Sequence, residues 1–257
     1  MANQILKGRV ALVTGGSTGL GFGAAKRLLE EGAIVYITGR RQAQLDEAAA
    51  KLGGPITALR ADVTSKSDMQ SVADAIRVAH GQLDILFANA GGGHATPLAD
   101  LTEAQMDSEL SINVKGVILT MQTMLGILRN GASVVLNASI TADMGLPGFA
   151  VYASTKAAVR SLARSWTTDL KTRDIRVNSI SPGVVPTEGY GVEQKMSAAD
   201  VAAYVERVSK EIPAGRVGTA QDIGDALVFL ASDASSYIRG IDLVVDGGMT
   251  RVYAGKN

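Results

Sequence analysis

The sequence predicts an α/β fold in which one doubly wound, parallel sheet of about seven strands is covered by helices. Short runs rich in β-branched residues recur along the 257-residue chain, and segments of helical length separate them. The runs are apolar almost without alternation, which is typical of strands that are covered on both faces. A regular alternation of strands and helices indicates parallel strands joined by right-handed crossovers.

The elements can be predicted in chain order. Strands are predicted over Val10–Thr14, Ile34–Thr38, Ile56–Ala61, Leu83–Ala88, Ser133–Ala138, Ile175–Ile180 and Asp242–Val245. Helices are predicted over Gly19–Glu31, Gln42–Leu52, Lys66–His80, Glu103–Arg129, Ala150–Leu170 and Ala220–Ser232. Thr102 and Gln105 have the spacing of a capping box at the start of the fourth helix. No linker or repeat interrupts this pattern, so residues 1–257 are predicted to form a single domain. The irregular region Gly183–Pro213 is long enough to be a substrate lid.

The composition excludes several classes of protein. The 25 Lys and Arg residues balance the 25 Asp and Glu residues, so the basic surface of a nucleic-acid or membrane-surface binder is missing. The chain has no Cys and two His residues, which excludes disulfides and argues against a metal site. The longest apolar run, residues 226–231, is far shorter than the roughly 18 residues of a membrane span. Because the first residues also lack the apolar stretch of a secretory signal, we expect a cytoplasmic protein.

A glycine-rich turn follows the first predicted strand and opens the first predicted helix. Its sequence is Thr14-Gly15-Gly16-Ser17-Thr18-Gly19-Leu20-Gly21. Glycines at 15, 19 and 21 let the backbone turn tightly and approach a pyrophosphate, which then lies against free N–H groups at the helix N-terminus. Such a turn can also be a plain strand–helix connection. The strand and helix on either side of it favour dinucleotide binding.

The spacing Gly-x-x-x-Gly-x-Gly, with Thr14 before it, differs from the commoner Rossmann spacing and resembles that of the short-chain dehydrogenase/reductase family. Further matching motifs extend over nearly the whole chain: Asp62-Val63, Asn89-Ala90-Gly91, Asn113, Ser139, Tyr152-Ala153-Ser154-Thr155-Lys156 and Pro182-Gly183. The resemblance implies a Rossmann-type domain that transfers a hydride between a nicotinamide cofactor and a carbinol carbon. The residue chemistry and the resemblance together give the predicted cofactor-binding residues, which are Gly15, Ser17, Thr18, Gly19, Leu20, Gly21, Arg40, Arg41, Asp62, Val63, Asn89, Ala90, Gly91, Tyr152, Lys156, Pro182, Gly183, Val185 and Thr187.

Tyr152 and Lys156 are the first two members of the expected catalytic set. They are four residues apart in a predicted helix, so both side chains project from one face. A tyrosine with the reference pKa of about 10 is a poor base at neutral pH, and a neighbouring ammonium lowers that pKa. An isolated pair with this spacing is usually a solvated helix pair, but the surrounding motifs favour acid–base catalysis by Tyr152.

Ser139 and Asn113 complete the catalytic set that the resemblance implies. Ser139 follows a predicted strand, where a doubly wound sheet places its ligands, and would orient the substrate oxygen. A serine that only turns the chain is the alternative. Asn113 is a poor helix former inside a predicted helix. The resemblance implies that it holds a water that connects Lys156 to solvent, and a buried structural asparagine is the alternative.

The residues after the second strand favour NADP(H) as the cofactor. NAD-specific proteins usually carry Asp or Glu there, which binds the ribose hydroxyls and repels a 2′-phosphate. In this chain Gly39 occupies that position, and Arg40 and Arg41 follow it. Guanidinium groups bind phosphate through charge-assisted hydrogen bonds. Many NADP-using members have a basic residue where this chain has Thr18, so the discrimination depends mainly on Arg40. Solvated charges at a helix start are the alternative.

The substrate is expected to contact the loop Asp143–Phe149, the region of His94 and the predicted lid. These segments contain the partly apolar set Met144, Leu146, Phe149, Tyr190 and Met196. Such a wall suits a ketone or secondary alcohol with a hydrophobic body, and His94 itself is expected to be a surface residue. A 3-oxoacyl-[acyl-carrier-protein] reductase is an alternative function, for which Arg129 and Arg173 would offer a basic surface. A regulatory protein that senses NADP(H) without turnover is another.

The two long predicted helices also suggest an assembly. They carry apolar residues on more than one face, which are too many for the inward faces alone: Met121, Met124, Leu125, Leu128, Val159, Leu162, Ala163 and Trp166. The resemblance implies that these helices pair across a two-fold axis and that residues 241–249 form a second contact, which gives a homotetramer. The alternative is that all these residues pack inward.

Overall fold

The computed structural model describes residues 4–190 and 196–252, and it confirms the predicted sheet. In this part of the chain seven strands occur: β1 (Val10–Thr14), β2 (Ile34–Gly39), β3 (Ile56–Arg60), β4 (Leu83–Ala88), β5 (Leu128–Asn137), β6 (Arg176–Pro182) and β7 (Asp242–Val245). They are all parallel, in the order β3-β2-β1-β4-β5-β6-β7. The winding direction therefore reverses between β1 and β4, and a doubly wound sheet opens its ligand crevice at this place.

Helices pack on both faces of the sheet and build two separate apolar cores. The described helices are α1 (Gly19–Glu30), α2 (Gln42–Leu52), α3 (Lys66–His80), α4 (Glu103–Leu110), α5 (Gly116–Met124), α6 (Ala150–Asp169), α7 (Ala198–Glu211) and α8 (Ala220–Ala231). Helices α3, α5 and α6 bury Ile76, Met124 and Val159 against one face. Helices α1, α2 and α8 cover the other face, which explains the continuous apolarity of the strands.

The predicted helix Glu103–Arg129 is wrong in two respects. One turn of π-helix, Ser111–Lys115, separates α4 from α5, and the helical segment ends at Met124. Strand β5 then begins at Leu128, five residues before the predicted start. The reason is tertiary, because Leu128 pairs with Leu83 of β4 and both side chains become buried. Local helix propensity cannot compete with that burial.

The predicted irregular region Gly183–Pro213 contains a helix, α7. The side chain of Ser197 accepts the N–H of Asp200, and the carboxylate of Asp200 accepts the N–H of Ser197 in return, which completes a capping box. Val208 and Ile212 then pack on Val184 in a small apolar cluster. Residues 191–195 of the predicted lid, like residues 1–3 and 253–257 of the predicted domain, lie outside the described residues.

The apolar residues that the sequence suggested for a partner surface mostly pack inward. Met121, Met124, Leu128, Val159 and Ala163 are all buried in the core under α5 and α6. The three others in that set are partly buried against the same core. The five buried residues therefore do not support an interface, and the predicted assembly stays a prediction.

A buried arginine ties β6 to the end of α8. Arg176 is only 5% exposed. Its guanidinium donates to the carbonyl oxygens of Leu230 at 2.8 Å, Ser232 at 3.1 Å and Ser235 at 3.1 Å. Burial lowers the pKa of this guanidinium, while the negative end of the helix dipole favours its charge. Arg176 therefore adds a buried charged donor to carbonyl oxygens that also accept bonds from Ser133, Ser235 and Ile238, and it joins β6 to the end of α8.

We expect Arg176→Met to lower the free energy of unfolding by about 3 kcal/mol, because the variant loses the four hydrogen bonds of one buried charged group. Urea unfolding followed by circular dichroism measures this difference. Arg164→Met is the control, since Arg164 is exposed on α6, and it is expected to change the free energy by less than about 0.5 kcal/mol. Equal effects of the two substitutions would contradict the anchoring role of Arg176.

Candidate active site

A cleft of about 530 Å³ lies at the carboxyl ends of the central strands. This volume is typical of ligand sites. Its walls come from segments that are far apart in the sequence: residues 15–21, 38–41, 61–63, 89–93, 137–141 and 182–187. All the predicted cofactor-binding residues line it, namely Gly15, Ser17, Thr18, Gly19, Leu20, Gly21, Arg40, Arg41, Asp62, Val63, Asn89, Ala90, Gly91, Tyr152, Lys156, Pro182, Gly183, Val185 and Thr187. The fold thus brings the sequence motifs to one place.

The glycine turn forms a cradle at one end of the cleft. Gly15 has a φ of +65°, a conformation that favours glycine. A Cβ on Gly21 would collide with the carbonyl group of Gly15. The absence of a side chain at Gly21 therefore allows the first turn of α1 to pack directly on the backbone of Gly15. Thr18, the N-cap residue of α1, makes no side-chain capping bond to the described residues. The N-terminal N–H groups of α1 are thus suited to an anionic ligand.

Thr14 and Asn89 join the glycine turn to the turn after β4. The hydroxyl oxygen of Thr14 accepts the N–H groups of Asn89 and Ala90, each at 3.0 Å. The side-chain amide of Asn89 donates to the carbonyl oxygens of Thr14 at 2.9 Å and Gly15 at 3.2 Å. These bonds fix the glycine turn and the turn after β4, which are two walls of the cleft, relative to each other. Thr14 and Asn89 therefore have a structural role in the cleft.

Tyr152, Lys156 and Ser139 meet in the cleft beyond this cradle. Tyr152 and Lys156 extend from α6, and the Lys156 Nζ lies 5.5 Å from the centroid of the Tyr152 ring. The same Nζ donates to the carbonyl oxygen of Asn137 at 2.7 Å, which fixes the buried ammonium beside the phenol. The Ser139 Oγ accepts the N–H of Thr141 at 3.2 Å, so its own proton can be donated to another acceptor.

Asn113 lies behind the cleft wall and is not among the lining residues that the structure describes. It is buried within the π-helical turn. Its Nδ2 donates to the carbonyl oxygen of Gly92 at 2.8 Å and to the Thr155 Oγ1 at 3.1 Å, and its Oδ1 accepts the N–H of Gly92 at 3.0 Å. These are bonds of a structural asparagine, and the predicted water relay stays a prediction.

Arg40 and Arg41 lie at the end of β2, exposed on the rim of the cleft. Within residues 4–190 and 196–252 neither side chain has an ion-pair partner. A Cβ on Gly39 would lie 3.5 Å from the Ser17 Oγ, so an acidic side chain at this position would meet the cleft. The rim therefore has two arginines that can bind a phosphate group, and position 39 has no carboxylate that would repel it.

Known proteins resemble this chain both in sequence and in structure. A family model described as enoyl-(acyl carrier protein) reductase matches residues 15–250. This chain belongs to the short-chain dehydrogenase/reductase family. An oxidoreductase of Sarocladium schorii is 39% identical over 253 residues, which cover 98% of this chain and 99% of the relative. An NADP-dependent (R)-specific alcohol dehydrogenase of Lentilactobacillus kefiri is 35% identical over 258 residues, which cover 95% of this chain and 98% of that enzyme. The solved structure of a doubly substituted short-chain dehydrogenase/reductase of Serratia marcescens has a TM-score of 0.86 at 30% identity, and the match covers 96% and 99% of the two chains.

This short-chain dehydrogenase/reductase is therefore an oxidoreductase that uses a nicotinamide cofactor and acts on a small molecule. Among the described residues no helix is both long enough and apolar enough to cross a membrane. The same residues contain no group of three or more His, Asp or Glu side chains that could hold a metal ion.

The wall beside Tyr152 is largely apolar. Of the predicted substrate-contacting residues, Met144, Leu146, Phe149 and Tyr190 line the cleft, whereas Met196 is not among the lining residues described. Burial raises the pKa of Tyr190 well above its usual value, so its hydroxyl stays protonated. His94 lies outside the cleft lining with its side chain 54% exposed, as predicted for a surface loop residue.

The residues of the cleft wall that sequence reasoning did not name include Tyr204 and Met249. Tyr204 lies on α7, and its ring packs against the Tyr190 ring with 6.1 Å between the centroids. The capping box at Ser197 and the apolar positions 201, 204 and 208 were available as a helical signal for Tyr204. Met249 had no local signal, because it reaches the cleft through the turn that follows β7.

Arg160 anchors the loop that carries Met144 and Leu146. Its guanidinium pairs with Asp143 of that loop at 2.7 Å and with Asp242 of β7 at 3.1 Å. Arg251 reaches the same Asp143 at 3.0 Å. The substrate loop is therefore tied both to the catalytic helix α6 and to the C-terminal segment that supplies Met249.

Proposed function

We propose that this protein is an NADP(H)-dependent oxidoreductase that interconverts a secondary alcohol and a ketone, with Tyr152 as the acid–base catalyst. The observation that carries the proposal is the position of Tyr152, Lys156 and Ser139 in one cleft beside an uncapped helix N-terminus. The NADP-dependent alcohol dehydrogenase of Lentilactobacillus kefiri supports the same reaction class and cofactor.

The residues of the cleft fit a dinucleotide. The turn at residues 15–21 would hold the pyrophosphate, because its backbone is bare and the N-terminus of α1 favours an anion. Asp62 and Val63 would contact the adenine, and Arg40 a 2′-phosphate. Pro182, Gly183, Val185 and Thr187 would hold the nicotinamide end of the cofactor. When bound, the cofactor supplies or accepts the hydride.

The side chains in the cleft then have separate tasks. The Tyr152 hydroxyl gives its proton to the carbonyl oxygen during reduction and takes the alcohol proton during oxidation. Lys156 stabilises the phenolate form, since its ammonium is buried beside the ring. Ser139 donates a hydrogen bond to the same substrate oxygen, because its Oγ accepts the Thr141 N–H and its hydroxyl proton is available for another acceptor.

NADPH consumption over a panel of ketones, sugars and acyl thioesters tests the proposed function. We expect turnover with at least one ketone that has an apolar body, because the wall beside Tyr152 is apolar. Binding of NADPH without turnover over the whole panel would contradict the enzyme and favour a sensor.

The carrier-protein alternative has less support. The Arg129 guanidinium donates to Asp84, and the Arg173 guanidinium donates to the carbonyl oxygens of Leu125 and Leu128. Both guanidinium groups therefore bind groups of this chain. They are less available to bind the acidic surface of an acyl-carrier protein. Activity on an acetoacetyl thioester that exceeds activity on simple ketones would restore this alternative.

We also propose a homotetramer. The support is a shallow apolar groove on α4 and α5 formed by Leu110, Val114, Ile118 and Leu119, which are all at least partly exposed. Light scattering at micromolar concentration should give about four times the 26.6 kDa mass of one chain. A mass equal to one chain would contradict the assembly.

A further inference from the structure

A buried carboxylate lies outside the catalytic set, on α4, four residues before Asn113. Glu109 is only 7% exposed. Its Oε1 accepts the N–H of His94 at 3.0 Å and lies 3.7 Å from the His94 Nδ1. Its Oε2 is buried and has no hydrogen-bond partner among the described residues. Burial of a carboxylate with so few hydrogen-bond partners lowers the stability of the fold. A glutamate at this position therefore calls for a role other than stabilisation.

Glu109 and Asn113 together hold the loop that follows the motif Asn89-Ala90-Gly91. Residues four apart on a helix share one face, and here both side chains bind the same loop. Asn113 fixes the N–H and the carbonyl group of Gly92, and Glu109 fixes the N–H of His94. The backbone is thus held on both sides of Gly93.

Gly93, between these two fixed points, packs against the ring of Tyr152. A Cβ on Gly93 would lie 2.9 Å from the Tyr152 Cβ, 2.6 Å from its Cγ and closer still to its Cδ2. Real side chains do not approach so closely, so the bare backbone of Gly93 is what allows the ring to lie there. The Phe149 ring meets the Tyr152 ring edge to face, with 6.1 Å between the centroids.

We propose that Glu109 and Gly93 are positioning residues for Tyr152. Glu109 holds the His94 N–H, this bond keeps Gly93 against the Tyr152 ring, and the ring then presents its hydroxyl beside Ser139 and Lys156. The inference deepens the proposed function, and its catalytic consequence depends on that function. The contact between Glu109 and the loop does not depend on it.

Amide hydrogen exchange tests the contact without any turnover. Glu109→Leu removes the acceptor, and we expect the His94 amide to exchange about tenfold faster than in the wild type. Glu109→Gln keeps a carbonyl oxygen at the same place, so exchange should stay within about twofold. An unchanged His94 exchange rate in Glu109→Leu would overturn the proposal.

Kinetics test the positioning. Gly93→Ala should lower kcat about 100-fold, because its new methyl group displaces the Tyr152 ring, while the NADPH Kd stays within about twofold. Glu109→Leu should lower kcat about tenfold, and Glu109→Gln should restore it. Gly126→Ala is the matched control and should leave kcat unchanged, since its added Cβ has no neighbour within 4 Å.

Two results would overturn the positioning role. The first is a wild-type kcat in Gly93→Ala, and the second is an NADPH Kd that rises in parallel with the loss of kcat, which would indicate a general loss of structure. A wild-type enzyme without turnover on any carbonyl compound would refute the proposed function instead, and the exchange experiment would still decide the contact between Glu109 and His94.

Discussion

Tyr152→Phe is expected to lower kcat by about 10³-fold while the protein still folds and binds NADPH. The phenyl ring keeps the packing against Gly93 and Phe149 but lacks the hydroxyl that exchanges the proton. Steady-state NADPH oxidation with the best ketone of the panel measures kcat, and isothermal titration calorimetry measures the NADPH Kd.

Tyr237→Phe is the control for this experiment. The Tyr237 side chain is fully exposed and lies outside the cleft, so the same chemical change should leave kcat unaltered there. Undiminished turnover in Tyr152→Phe would remove Tyr152 from the mechanism. A loss of NADPH binding in the same variant would show that the hydroxyl also takes part in cofactor binding, so the fall in kcat would no longer be specific to proton exchange.

Arg40→Ala is expected to raise the NADPH Kd about 30-fold and to leave the NADH Kd nearly unchanged. The reason is that Arg40 lines the cleft rim with no acidic partner among the described residues, and NADPH alone carries a 2′-phosphate. Gly39, beside it, offers no carboxylate for the ribose hydroxyls. Calorimetric titration of both cofactors into the wild type and the variant measures the selectivity.

Two further arginine variants sharpen the cofactor experiment. Arg41→Ala should have a smaller effect than Arg40→Ala, because the sequence places the discrimination mainly on Arg40. Arg77→Ala should have no effect, since Arg77 is an exposed residue of α3 that pairs with Asp74. Equal binding of NADPH and NADH by the wild type would contradict the charge argument, and an equal loss for both cofactors in Arg40→Ala would contradict phosphate recognition.

Elements with signals of their own could be predicted from the sequence. Strands β1, β4 and β7 and helices α2 and α3 have the predicted bounds. Helix α3 is typical: the Ser65 side chain accepts the N–H of Asp68 at its start, and Gly81 ends it in the left-handed conformation. Signals of this kind act within one turn of the chain, so they operate before any tertiary contact forms.

The positions of the cleft-lining motif residues could also be predicted, for a topological reason. Parallel strands place all their carboxyl ends on one edge of the sheet, so motifs that follow β1, β4, β5 and β6 must converge there. Asn113 shows where this reasoning stops. Its role depends on the hydrogen-bond partners of its side-chain amide, which are Gly92 and Thr155 in the structure.

The sequence by itself determined the order of strands and helices, the glycine turn and the spacing of Tyr152 and Lys156, because each depends on residues that are close along the chain. Only the tertiary structure decided that β5 starts at Leu128, that Tyr204 and Met249 line the cleft and that Glu109 holds the loop beside Tyr152. The physical reason is that these features depend on burial and hydrogen bonding between segments remote in sequence. Local propensity is too weak to oppose such contacts and carries no information about them.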